Sequence, residues 1–95
     1  MIDATIQIRF KTTAEGGRIG PIQGKQFSCP MLISGEAFDC RLETGGRILE
    51  LGETYEVPIR FLNPQLAVPK LTVGKEVVLW EGKEIATGRV LRLGK

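Results

Sequence analysis

Two thiols, four Gly-Lys pairs, a scattered set of carboxylates and one Glu-Gly-Gly-Arg run are the groups in this chain that could do chemistry. A phosphate-cradling loop needs a glycine five residues before its second glycine and Ser or Thr after the lysine. None of Gly24-Lys25, Gly74-Lys75, Gly82-Lys83 and Gly94-Lys95 has both, so no nucleotide is expected as a cofactor. The sequence has no histidine, which rules out Ser-His and Cys-His nucleophile pairs and leaves two thiols too few to hold a structural zinc. Glu15, Glu36, Asp39, Glu43, Glu50, Glu53, Glu56, Glu76, Glu81 and Glu84 are spread over many segments and read as solvated surface rather than as an acid/base pair. No catalytic group, metal or cofactor is therefore expected.

Cys29 and Cys40 admit two readings. They lie on segments that pair as a hairpin and so could form a disulfide or redox couple. They also match the apolar phase of those segments, without CxxC spacing, and are expected as free, buried thiols. Glu15-Gly16-Gly17-Arg18 is either a tight turn with a structural arginine or a loop presenting Arg18 to a phosphate or carboxylate. Trp80, beside Glu81-Gly82-Lys83, is either a buried cap on the end of the fold or an interface anchor; burial is the expectation. Lys83, Arg89, Arg92 and Lys95 either make a basic stripe or supply the outward charge that solubility requires. The binding surface is placed on the loop from Glu15 to Gly24 and the turn from Trp80 to Lys83, because neither has a strand role.

The elements that must position these groups are strands. Residues 1–95 have material for one hydrophobic core, so one domain is expected. A hydrophobic fraction of 42% with 25% charged residues is that of a chain that folds, and 12 glycines and 5 prolines scattered through it disfavour long helices. Ala4, Ile6, Ile8 and Phe10 alternate with polar residues as a half-buried strand. Lys11 to Gly24 has no sustained period and reads as a long loop. Phe27, Cys29, Met31 and Ile33, then Phe38, Cys40 and Leu42, predict a hairpin broken at Ser34-Gly35-Glu36. After a short segment at Ile48, Leu49 and Leu51, a turn at Leu51-Gly52-Glu53 leads into Tyr55, Val57, Ile59 and Phe61. Pro30 and Pro58 prevent regular pairing along the whole of either strand. Asn63 to Pro69 is expected as a connection, neither strand nor helix, that crosses to the far side of the fold. Val77 to Trp80 and Ile85 to Leu93 close the chain as a second hairpin, and about six strands without exposed edges imply a small barrel. The net charge of +2 is too small for a dedicated nucleic-acid binder, and no apolar run reaches membrane-spanning length or forms a signal peptide, so a cytoplasmic location with no membrane partner is expected.

Glu15-Gly16-Gly17-Arg18 followed by Pro21 and Gly24 resembles the Glu-Gly-Gly-Arg, Pro, Gly signature that opens the third, C-terminal domain of translation elongation factor Tu. Leu51-Gly52-Glu53 looks like that family's Pro-Gly-Asp turn, Phe61-Leu62-Asn63-Pro64 is similar to its strand ending in proline, and Leu79-Trp80-Glu81-Gly82 looks like its Arg-Glu-Gly-Gly hairpin. These marks keep their order over essentially the whole chain. The resemblance implies a six-stranded antiparallel Greek-key barrel without a GTPase domain. It also implies a module that contacts the acceptor arm and T stem of aminoacyl-tRNA or docks to neighbouring domains. Ile19-Gly20 stands where the family has His and a hydroxyl residue, Leu32-Ile33-Ser34-Gly35 replaces its polar Arg-Thr-Thr-Asp run, and Ala86-Thr87-Gly88 is displaced from its Gly-Ala-Gly. These departures fall on the polar run, so a protein partner is expected ahead of tRNA.

Overall fold

A computed structural model describes residues 2–94. Six strands, β1 (Ala4–Phe10), β2 (Gln26–Ile33), β3 (Glu36–Glu43), β4 (Thr54–Phe61), β5 (Glu76–Trp80) and β6 (Glu84–Leu93), close into a barrel in the order β1-β4-β3-β2-β5-β6. Every neighbouring pair is antiparallel. β2, β3 and β4 are consecutive neighbours, and β1 returns to lie beside β4, which is the Greek-key arrangement. The all-β, six-stranded Greek-key barrel expected from the sequence is thus the fold.

Alternation builds the core. Ala4, Ile6, Ile8 and Phe10 of β1 are completely buried, and Met31, Ile33, Leu42, Val57, Ile59, Leu79 and Ile85 meet them from the other strands. The β2–β3 hairpin turns at Ser34 and Gly35, with φ of +52° and +80°, directly between the paired Ile33 and Glu36. Two positive-φ residues in a two-residue loop match the right-handed twist of the strands they join. Among the described residues, no helix is long and apolar enough to cross a membrane.

Each strand proline sits where one of its two ladders has stopped. β2 pairs with β3 from Gln26 to Ile33 without a break, but with β5 only at Met31 and Leu32. β4 likewise pairs with β1 straight through Pro58, while its ladder with β3 begins at Ile59. The Leu62 N–H donates to the Asp39 carbonyl at 3.0 Å, so Asp39 faces β4 and its partner Pro30 turns its nitrogen away from β3. The irregularity expected from the prolines is therefore confined to one side of each strand.

The connection after β4 differs from expectation. It holds a four-residue helix, α1 (Pro64–Ala67), followed by a 3₁₀ turn at Val68–Lys70. Pro64 occupies the first helical turn, where its missing N–H has no bond to lose and its fixed φ suits the helix. Prolines that argue against a long helix thus start a short one. Buried Ala67 and Leu71 pin the connection to the core, and it does cross the barrel, since β4 and β5 lie three strands apart in either direction.

Cys29 and Cys40 face each other across β2 and β3, both buried and both free. The Cys40 thiol donates to the Cys29 carbonyl at 3.3 Å. The neighbouring Cys29, followed by burial, pushes the Cys40 thiol up, away from the reactive thiolate form. Both cysteines should resist alkylation in the folded protein and react fully once it is denatured, as mass spectrometry of iodoacetamide-treated samples would show. Rapid labelling of the native state would contradict this packing.

Candidate functional site

The loop between β1 and β2 starts with a capping box. The Glu15 N–H donates to Thr12 Oγ1 at 3.2 Å, and the Thr12 N–H donates to Glu15 Oε1 at 2.8 Å, which closes the 3₁₀ turn at Thr13–Glu15. Arg9 Nη1 lies 3.1 Å from the same carboxylate. The Thr12 backbone bond first, then Arg9, holds the Glu15 carboxyl below the usual carboxylate range. Gly17 then passes so close to the chain just after β1 that a Cβ would lie 2.3 Å from the Lys11 carbonyl oxygen. Only glycine fits this approach, which aims the next residue at the barrel mouth.

That residue is Arg18. Its guanidinium lies 5.0 Å from the centroid of the Phe27 ring, and its Nη1 is 2.5 Å from Glu81 Oε1 in the β5–β6 turn. Phe27 in turn packs edge-on against the buried Phe10 at 5.9 Å. The two segments expected to carry binding therefore converge, although Arg18 and Glu81 are 63 positions apart in sequence. Gly82, at φ +71°, lets the turn reverse, and the Glu81 N–H donates to the Lys83 carbonyl at 2.8 Å. Arg18 thus closes the mouth between the start of β2 and the end of β5.

Trp80 is not the buried cap expected of it. Val77 and Leu79 point inward, so Trp80 falls on the outward phase of β5 and is 41% exposed, at a shift in register against β6. Ile19, the residue after Arg18, is 93% exposed. Lys83 is exposed and makes no ion pair among the described residues. The mouth therefore carries two outward apolar side chains, each next in sequence to one member of the Arg18–Glu81 pair, and one lysine. Ile19 falls within the loop named as binding surface but is not singled out there, because no strand phase surrounds it; its only signal is a large apolar residue within a Gly- and Pro-rich loop.

The basic stripe does not form as a continuous feature. Arg92 Nη2 lies 3.8 Å from Glu56, Arg89 stands opposite Glu76 across β5 and β6, and Lys95 lies outside the described residues. A groove of about 710 Å³ on the outer faces of β1, β5 and β6 is lined by Gln7, Arg9, Glu76, Thr87 and Arg89. Its arginines already face carboxylates, so it offers little uncompensated charge. Among the described residues, no three His, Cys, Asp or Glu side chains gather as a metal-ligand group.

Arg18→Ala should lower stability by about 1 kcal/mol, the sum expected of a half-exposed ion pair and an exposed cation–π contact. A double-mutant cycle with Glu81→Ala, read by urea denaturation, should return a coupling of about 0.5 kcal/mol. Strict additivity would show that the pair does not act as a unit. Compared with known proteins, the chain matches no family model and no curated sequence.

Proposed function

We propose that this chain is a non-catalytic binding module, similar to the third domain of elongation factor Tu, that docks to a protein partner through the mouth formed by Glu15–Arg18, Ile19 and Trp80–Lys83. The observation that carries this reading is the outward placement of Ile19 and Trp80 beside the Arg18–Glu81 pair. Large apolar side chains held out by a rigid barrel cost solubility, and Trp and Arg are the side chains that most often dominate protein interfaces. The distribution of charge favours protein over RNA. Arg9, Lys11, Arg18, Arg60, Lys70 and Arg92 each lie within ion-pair reach of a glutamate, so six of the thirteen Lys and Arg are already offset by carboxylates, and the net charge is only +2.

Capture from native lysate with and without nuclease, followed by identification of the retained protein and measurement of its affinity, tests the reading. Trp80→Ala should weaken that partner by about 2 kcal/mol with melting unchanged, and Ile19→Ser and Lys83→Ala should act in the same direction by less. Loss of all capture on nuclease treatment would replace the protein partner with RNA. Full affinity in the Trp80 and Ile19 variants would move the functional surface elsewhere on the barrel.

A further inference from the structure

The seam between β2 and β5 is the weakest in the barrel wall, with just two residue pairs, Met31 with Leu79 and Leu32 with Val78. Along an antiparallel strand the N–H and C=O of one residue point to the same neighbour, and successive residues alternate between neighbours. In β2 the odd-numbered residues face β3: the Lys25 carbonyl accepts from Thr44 at 3.1 Å, and Pro30, paired with Asp39, turns the other way. Gln26, Ser28, Pro30 and Leu32 therefore face the β5 side. Pro30 has no N–H to give, and the ladder ends beside it. Beyond that point Gln26 and Ser28 each turn one donor and one acceptor outward; both residues are exposed, and neither backbone has a hydrogen-bond partner among the described residues.

We infer that this bare segment of β2 receives an extended segment of a protein partner by strand addition, which is the mode by which the proposed docking surface would grip its partner. The inference rests on that docking reading. The occupant follows from what the edge offers: alternate N–H and C=O groups two residues apart, which only another extended backbone satisfies in full. Trp80 is the last residue of β5, on its outer face, where the ladder stops. It supplies the apolar wall for one side chain of the added strand. Backbone pairing accepts many sequences, so selectivity falls to that side chain, which should be apolar. Natural folds cover or charge their strand edges; here the Arg18–Glu81 pair spans the gap between the start of β2 and the end of β5, while the Gln26 and Ser28 backbones stay unpaired beside an outward tryptophan.

A random heptapeptide library displayed on phage and panned against the folded protein supplies the probe. Selected peptides, made synthetically, should be free of proline at their centre. They should slow amide exchange at Gln26 and Ser28 by at least about tenfold, from rapid exchange in the free protein. Ser28→Pro is the discriminating variant. Its lost N–H faces the open side, so the β3 ladder is intact and melting should hold, while peptide affinity should fall by about tenfold or more. An empty selection, protection of both amides in the free protein, or peptides that bind while both amides still exchange would each overturn strand addition. Affinity that falls with Trp80→Ala but survives Ser28→Pro would retain the docking surface and reject strand addition; indifference to both would reject the two together. Should Ser28→Pro fail to fold, the exchange measurement on the natural chain decides.

Discussion

Phe10→Ala should cost about 3–5 kcal/mol of unfolding free energy, the range for removing a large buried aromatic. Phe10 is completely buried, and it is the base of a stack in which its ring supports Phe27 and Phe27 supports the Arg18 guanidinium. Its truncation leaves a cavity in the core and takes away the support beneath the mouth. The barrel is small, and a loss of this size is a large part of the stability available to such a domain. Phe10→Leu, which keeps most of the volume, should retain the fold at a smaller cost. Urea denaturation of the two variants measures both. A change below about 1 kcal/mol for the alanine variant would mean that Phe10 does not occupy the core as described.

The second large effect is expected at Gly88. It pairs with Ile8 on one side and Val77 on the other, and a Cβ added there would lie 2.1 Å from the Gln7 carbonyl oxygen and 3.0 Å from Ile8 Cδ1. The first of these obstacles is backbone, so no rotamer change relieves it, and β1 and β6 must part. Gly88→Ala should destabilise by about 3 kcal/mol, at the upper end of the usual cost of overpacking. Gly20→Ala is the matched control. Its backbone is not in the left-handed region and nothing lies within 4 Å of the new methyl, so its effect should stay within about 0.5 kcal/mol. Equal effects at the two positions would show that the close approach of β1 and β6 does not limit the fold.

The strands were legible wherever one face is buried and the other wet. β4 shows this throughout and β1 from Ile6 onward, Thr5 being buried as well, and the paired cysteines fell on the apolar phase that buries them. Trp80 was misread because Val77-Val78-Leu79-Trp80 is apolar throughout, so periodicity cannot say which side faces in. Pro64 was misread because the same residue that breaks a helix interior is favoured in its first turn. The Glu15–Gly24 loop and the Trp80–Lys83 turn could be named separately as lacking a strand role. Their meeting through Arg18 and Glu81 could not, because it exists only after closure of the barrel brings β5 beside β2. The open edge of β2 had half a signal: Pro30 announced an interrupted ladder, but the side of the interruption depended on which residues of β3 face β4.

β1 and β6 are antiparallel neighbours, and the Gly94 N–H donates to the Asp3 carbonyl at 2.8 Å, so both ends of the described chain emerge side by side. Force applied between those ends would load the β1–β6 ladder at its last rung and open it like a zipper, one hydrogen bond at a time. Strands pulled in opposite senses along their length must instead break many bonds together. The barrel is accordingly soft to tension between its ends. The closure that hides Ile6, Ile8 and Phe10 from water yields first along this one seam, well away from the Arg18–Glu81 mouth at its other end.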